Sequence, residues 1–287
     1  MKDSIRDLNR SCVWDYENGF YWFSPKTRLN KMLAHYELYK TIVNIPGCIF
    51  EFGVYKGASL VRFATFRDAL ENDYSRKIIG FDAFGVFPTN KLKVKDDLNF
   101  IKKFEDAGGH GLSEDEVSDV LSSKGFENFS LVKGNIFDTL PKYLLDNPET
   151  RIALLHLDMD VQEPTNFALE LLYNRVVPGG IIVFDDYNAV SGETISVDEF
   201  VVKHKLKLEK LPNDIEESLE ELDENTCKWP IGHPDEKNFY FCGRSSLKDF
   251  SYCKLHLLYA YQPKGKKEEA TDKQEIPDFI EKKIQSA

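Results

Sequence analysis

Short apolar runs alternate with stretches of helical periodicity from residue 48 to beyond residue 200, and that alternation leaves few architectures open. Cys48–Phe52 (CIFEF), residues 77–81, Phe129–Lys133, Ile152–Leu157 (IALLHL) and residues 181–184 each read as a strand. Residues 59–70, 165–173 and 196–204 between and after them carry apolar side chains at helical spacing. Parallel strands buried on both faces read as continuous apolar runs, and each needs a crossover to reach the next. The expected fold is therefore α/β, with a doubly wound, mostly parallel sheet. Pro178-Gly179-Gly180 reads as the turn into the fifth strand, and residues 238–242 (NFYFC) as a late one.

Three segments lie outside that core. Residues 1–45 form an N-terminal extension, rich in aromatics from Trp14 to Phe23 and helical over 29–43. Residues 86–128 are too long for a plain connection and read as an inserted lid. Residues 264–287 form a charged tail, with a single domain expected over 1–263. An acidic stretch at 213–225 reads as solvated surface.

Charge and cysteine usage remove several function classes. Thirty-seven Lys and Arg against 48 Asp and Glu give a net charge of −11, so nucleic acid and anionic membranes are not the expected partners. No apolar run approaches the ~20 residues of a membrane span. The polar start MKDSIRDLNR has no secretory character. Five scattered cysteines without a CxxC pair suit a reduced, cytoplasmic protein rather than a disulfide or zinc framework.

Glu51-Phe-Gly53-Val-Tyr55-Lys-Gly57-Ala-Ser59 follows the first strand and opens a helix, where glycines let backbone approach a ligand and free N–H groups await one. It is not the GxGxxG fingerprint. Asp82, 25 residues after Gly57 and at the tip of the second strand, is placed to accept hydrogen bonds from two ribose hydroxyls. Together they point to an adenosine site. His156 reads as a packed histidine behind the strand end, and His110 as a residue of a flexible Gly-rich loop.

The sharpest feature is a pair of acidic strand ends, Leu157-Asp158-Met159-Asp160 and Phe184-Asp185-Asp186. Ligands of open α/β sheets bind beyond the carboxyl ends of the strands. If the two strands are neighbours, carboxylates ~5 Å apart repel by roughly 3 kcal/mol at an effective dielectric of ~20. No lysine or arginine stands nearby in sequence to offset this. All-oxygen ligands favour Mg²⁺, Ca²⁺ or Mn²⁺.

These blocks, with VKGNIFDTLP and LLHLDMDVQEPTNFALELLYNRVVPGGIIVFDDYN, resemble the macrocin-type (TylF/MycF/NovP-like) sugar O-methyltransferases from about residue 28 to 240. The resemblance implies a class I, Rossmann-like methyltransferase that uses S-adenosyl-L-methionine and Mg²⁺ on a sugar acceptor, with a homodimer allowed. It implies Asp158, Asp185 and Asp186 as metal ligands, and Asp160 or Asp158 as the base. Glu51, Gly53, Tyr55, Gly57, Ser59, Asp82 and Asn135 would serve the cofactor. His156 stands where arginine is common. Two competing expectations remain: a haloacid-dehalogenase-type phosphatase, suggested by Asp158-x-Asp160 but opposed by Gln162 and by only 27 residues between Asp158 and Asp185, and a non-catalytic nucleoside-binding protein.

Overall fold

A computed structural model describes residues 3–209, together with 228, 230–231, 240–241, 246 and 251–252. The chain divides into two compact units, Met1–Asp214 and Ile215–Ala287, and the first carries the sheet. Five strands form that sheet: β1 (Cys48–Phe52), β2 (Ile78–Asp82), β3 (Phe129–Lys133), β4 (Ile152–Leu157) and β5 (Val176–Phe184). Their order is β3-β2-β1-β4-β5 and every pairing is parallel. The chain winds outward from β1 to β3, then returns to start β4 on β1's other side. The order reverses between β1 and β4, which opens a crevice at their carboxyl ends.

Successive residues of a strand face opposite ways, and the core divides accordingly. Ile49, Ile78 and Leu154 join Tyr39, Leu60, Phe63, Val117 and Leu121 on one face. Phe50, Ile79 and Leu155 join Leu140, Leu144, Ala168 and Leu172 on the other. The helices are α1 (Val13–Phe23), α2 (Lys26–Ile42), α3 (Ala58–Leu70), α4 (Lys95–Gly108), α5 (Glu114–Ser123), α6 (Ile136–Asp146), α7 (Gln162–Leu172) and α8 (Ser191–His204). Helices on both faces make the sheet doubly wound, as the apolar runs imply. None of the described helices is long and apolar enough to cross a membrane.

Three expectations change in detail. β5 begins at Val176 and runs through Pro178-Gly179-Gly180, which is therefore strand rather than turn. Pairing jumps from Ile152–Val176 to Leu154–Ile181, a bulge that absorbs the extra residues. Proline is tolerated there because β5 is an edge of the described sheet. The insertion is really two pieces. A capping box of Ser113 and Glu116 starts α5, which buries Val117 and Leu121 as the ordinary crossover from β2 to β3. Residues 86–111, with α4, place no side chain in either main core cluster, although α4 buries Asp97 and Ile101. In the N-terminal extension, α2 begins at Lys26 and buries Ala34, His35, Tyr39 and Ile42 along one stripe, whereas α1 buries nothing and exposes Trp14, Trp22 and Phe23.

Of the late strand at 238–242, Tyr240–Phe241 is described; it pairs antiparallel with Pro230–Ile231. The acidic stretch from 213 and the tail from 264 lie outside the described residues, as do Cys227, Cys242 and Cys253. Cys12 and Cys48 are free thiols.

Candidate active site

A cleft of about 360 Å³ opens over the carboxyl ends of β1, β2, β4 and β5. Gly53, Tyr55, Ser59, Asp82, Asn135, Asp158, Asp160, Asp185 and Asp186 all line it, so nine of the eleven residues singled out in the sequence converge. Glu51 and Gly57 do not. Glu51 is fully buried in β1 beneath the floor, where Ser59 Oγ donates to its Oε1 at 2.8 Å. Burial pushes its carboxyl up to about 7. Gly57, the residue before α3, owes its place to a left-handed φ of 76°.

Gly53 is needed for a different reason from ligand approach. A Cβ there would sit 1.7 Å from the Asp158 carbonyl oxygen, so the ends of β1 and β4 meet through this residue's missing side chain. Tyr55, also left-handed at φ 49°, turns its N–H onto Asp82 Oδ2 at 2.9 Å. Phe84 N–H donates to Asp82 Oδ1 at 2.5 Å. Burial raises the Asp82 pKa, and these backbone donors work against the rise. Each Asp82 oxygen keeps a lone pair for another donor.

Tyr55 also ties the cleft to the insertion. Its hydroxyl donates to Gly108 O at 2.7 Å, and its carbonyl accepts from Leu112 N–H at 2.8 Å. The Gly108–Gly111 run expected to be a free loop is thus docked on the cleft rim; exposed His110 faces Glu105 at 3.2 Å. Asn135 caps α6, accepting from Phe137 N–H at 3.1 Å.

At the other end, β4 and β5 are indeed neighbours, and the acids crowd together. Asp158, Asp185 and Asp186 each bring one oxygen within 4.8 Å of the others. Burial first, then Asp185 and Asp186, raises Asp158 well above the usual carboxylate range. Burial and Asp186 push Asp160 up to about 8. Asp185 goes the other way. Burial would raise it, but the His156 and His35 imidazoles facing it and the Lys31 charge hold it well below its ordinary value.

No lysine or arginine stands near these acids in sequence, and α2 brings one to them in space. Lys31 Nζ pairs directly with Asp185 Oδ2. His156 Nε2 and His35 Nε2 lie 3.4 and 3.5 Å from Asp185 Oδ1, both rings packed against Phe63. Burial lowers the His35 pKa to about 4. Lys31 and His35 are four residues apart on the buried stripe of α2, the one sequence signal that could have found them. Glu193, in the first turn of α8, was also missed: its Oε1 accepts from Asp186 N–H at 3.1 Å, and burial with Asp186 raises it to about 9.

The model of the macrocin O-methyltransferase (TylF) family matches residues 9–229, more than half the chain. The chain belongs to that family. A second model, the GcrA cell cycle regulator, matches residues 193–271, a smaller region that overlaps the first. The chain is 29% identical over 148 residues to 8-demethyl-8-(2,3-dimethoxy-alpha-L-rhamnosyl)-tetracenomycin-C 4'-O-methyltransferase of Streptomyces olivaceus. That match covers 50% of this chain and 54% of that one, about half the length of the relative. Among solved structures it resembles CalS11, a calicheamicin methyltransferase, with a TM-score of 0.51 and 28% identity over 70% of this chain and 81% of that one. The O-methyltransferase NovP shares the fold, with a TM-score of 0.56 and 24% identity over 63% and 74%.

Proposed function

We propose that this chain is an S-adenosylmethionine-dependent O-methyltransferase that acts, with Mg²⁺, on a hydroxyl of a small-molecule deoxysugar, nucleotide-linked or part of a glycan. The observation that carries the reading is one cleft, in a TylF-family chain, with a backbone-held acid at one end and four crowded acids at the other. Family membership favours methyl transfer over the phosphatase alternative, and Gln162 in place of that motif's Thr or Val agrees.

The residues divide by role along the cleft. Asp82, steadied by Tyr55 and Phe84 N–H groups, accepts from the two ribose hydroxyls. Asn135 and the first residues of α6 border the space left for the base. Gly53 and Tyr55 shape the wall along the amino-acid part. Holding donor and acceptor in line is the largest contribution the protein makes to a displacement at a methyl group.

Asp158, Asp185 and Asp186 fit a divalent cation: three converging oxygens, mostly buried, with Asp158 raised by mutual repulsion. Bound there, Mg²⁺ would supply the positive field that ionises these carboxyls and acidifies a nearby hydroxyl. Lys31 must leave Asp185 Oδ2 to open that oxygen. Asp160 takes the acceptor's proton, with Asp158 as the alternative base. Since Asp160 rises to about 8 when only Lys31 offsets its neighbours, the base role requires further positive charge in the cleft at neutral pH.

The test is methyl transfer from labelled S-adenosylmethionine across a panel of nucleotide-activated deoxysugars, with EDTA and with Mg²⁺. Transfer that EDTA abolishes and Mg²⁺ restores is expected. Full activity in excess EDTA would overturn the metal assignment. Phosphate release from an aryl phosphate, without methyl transfer, would restore the phosphatase reading.

A further inference from the structure

Two guanidinium groups in the cleft wall have no partner among the described residues. Arg28, in the first turn of α2, and Arg62, in the second turn of α3, both line the cleft near the acid cluster. Lys31, one turn after Arg28, is committed to Asp185. Neither arginine side chain makes an ion pair or hydrogen bond with another described residue. Arg62 is half-buried. Burial disfavours its charge, Asp185 favours it from beyond contact, and Arg28 disfavours it again. A like-charged pair in a concave wall, with most of its ten N–H donors unused, is stabilised by an anion that bridges it.

The position narrows the ligand. Arg62 lies three residues beyond Ser59, on the same face of α3, one turn past the Gly53–Ser59 loop. It therefore follows β1, the strand beside β4, whereas Asn135 caps α6 after β3 at the outer edge of the sheet. A nucleoside held at Asp82 would have to extend past Gly53 to reach it.

We propose that Arg28 and Arg62 form an oxyanion seat, for a carboxylate or a phosphate, at the acid-cluster end of the cleft. The inference rests on the methyl-transfer reading and deepens it. Its occupant is either the amino-acid carboxylate of the methyl donor or a phosphate carried by the sugar acceptor. The guanidinium fork suits both, because each presents paired oxygens.

Dissociation constants for three probes separate the sources: S-adenosylhomocysteine, methylthioadenosine (the same nucleoside without the amino-acid end) and thymidine diphosphate. They are measured on the wild type, an Arg28→Met/Arg62→Met double variant and Arg62→Lys, with thermal melting as the folding control. If the seat takes the donor carboxylate, the double variant weakens S-adenosylhomocysteine about tenfold or more and leaves methylthioadenosine unchanged. If it takes an acceptor phosphate, only thymidine diphosphate weakens. In either case Arg62→Lys, which keeps the charge and loses the fork, recovers part of the loss. Unchanged affinity for all three probes overturns the seat, and so does an equal loss for all three, which would mark general damage to the cleft. A wild type that binds neither adenosine probe would overturn the methyl-donor reading, and the seat would then stand or fall on the diphosphate.

Discussion

Asp82 and Asp185 are both aspartates at the carboxyl end of a parallel strand, both are largely buried, and they are held in opposite ways. Asp82 is gripped by backbone N–H groups of Tyr55 and Phe84, dipoles without net charge, and burial leaves its pKa raised. Asp185 is gripped by side chains of Lys31, His35 and His156, and its pKa is driven down despite burial. A carboxylate held by neutral dipoles remains an acceptor for neutral hydroxyls. One paired with an ammonium is fixed in its charged form and suits a site whose work is to manage charge. The two ends of the cleft are thus built for recognition and for chemistry respectively.

The sharpest way to break that contrast is to neutralise each acid in turn. Asp185→Asn should lower methyl transfer a hundredfold or more, while S-adenosylhomocysteine binding stays within about threefold. Comparable losses in both would mean that the acid cluster serves the cofactor as well, and the division of labour would fail. Lys31→Met probes the same end from the cationic side. Without metal, it leaves Asp185 short of its strongest partner. Lys31 is about one-third exposed, so the cost is roughly 1–2 kcal/mol rather than that of a fully buried pair. Melting in EDTA should fall by several degrees, and Mg²⁺ titration should show tighter binding than in the wild type because no ammonium has to be displaced. Weaker Mg²⁺ binding would make Lys31 a partner of the ion rather than its competitor.

Asp82→Asn should act on the other end and act less. It keeps one acceptor oxygen and loses the charge, so S-adenosylhomocysteine binding should weaken about tenfold, with Mg²⁺ affinity unchanged. An unaffected cofactor affinity would remove Asp82 from the ribose site.

The same contrast explains what could be seen in the sequence. The strands were legible because both faces are buried, so Cys48–Phe52 and Ile152–Leu157 read as unbroken apolar runs. The acids were legible because residues at strand ends follow from strand boundaries alone. What holds Asp82 was half legible, since one of its donors belongs to Phe84, two residues on. What holds Asp185 was not, because Lys31 and His35 arrive from a helix about 150 residues earlier and only the packing of α2 against α3, β4 and β5 brings them in. Nor could sequence tell that Gly53 exists to let β1 touch Asp158, or that α5 joins a main core cluster while α4 packs outside both: both depend on distances between distant segments.

Glu51 lies under both ends, bonded to Ser59 and paired in register with His156 on β4, and it offers the finest test. Its native carboxyl holds a proton to about pH 7, while the unfolded chain releases it near 4.5. Between those values the unfolded state has given up a proton that the native state retains, so stability should fall as pH rises through that window and level off above about 7. The slope from one such group is at most ~1.4 kcal/mol per pH unit. Glu51→Gln keeps an oxygen for Ser59 and has no proton to release. Denaturant melts from pH 4.5 to 8 should therefore show a shallower decline in the variant and a gain over the wild type at pH 8, with cofactor affinity little changed. Parallel curves for the two proteins would mean that Glu51 is ionised in the fold. The floor of the cleft would then carry a charge beneath Asp185, and would not be the neutral layer that separates the two ends.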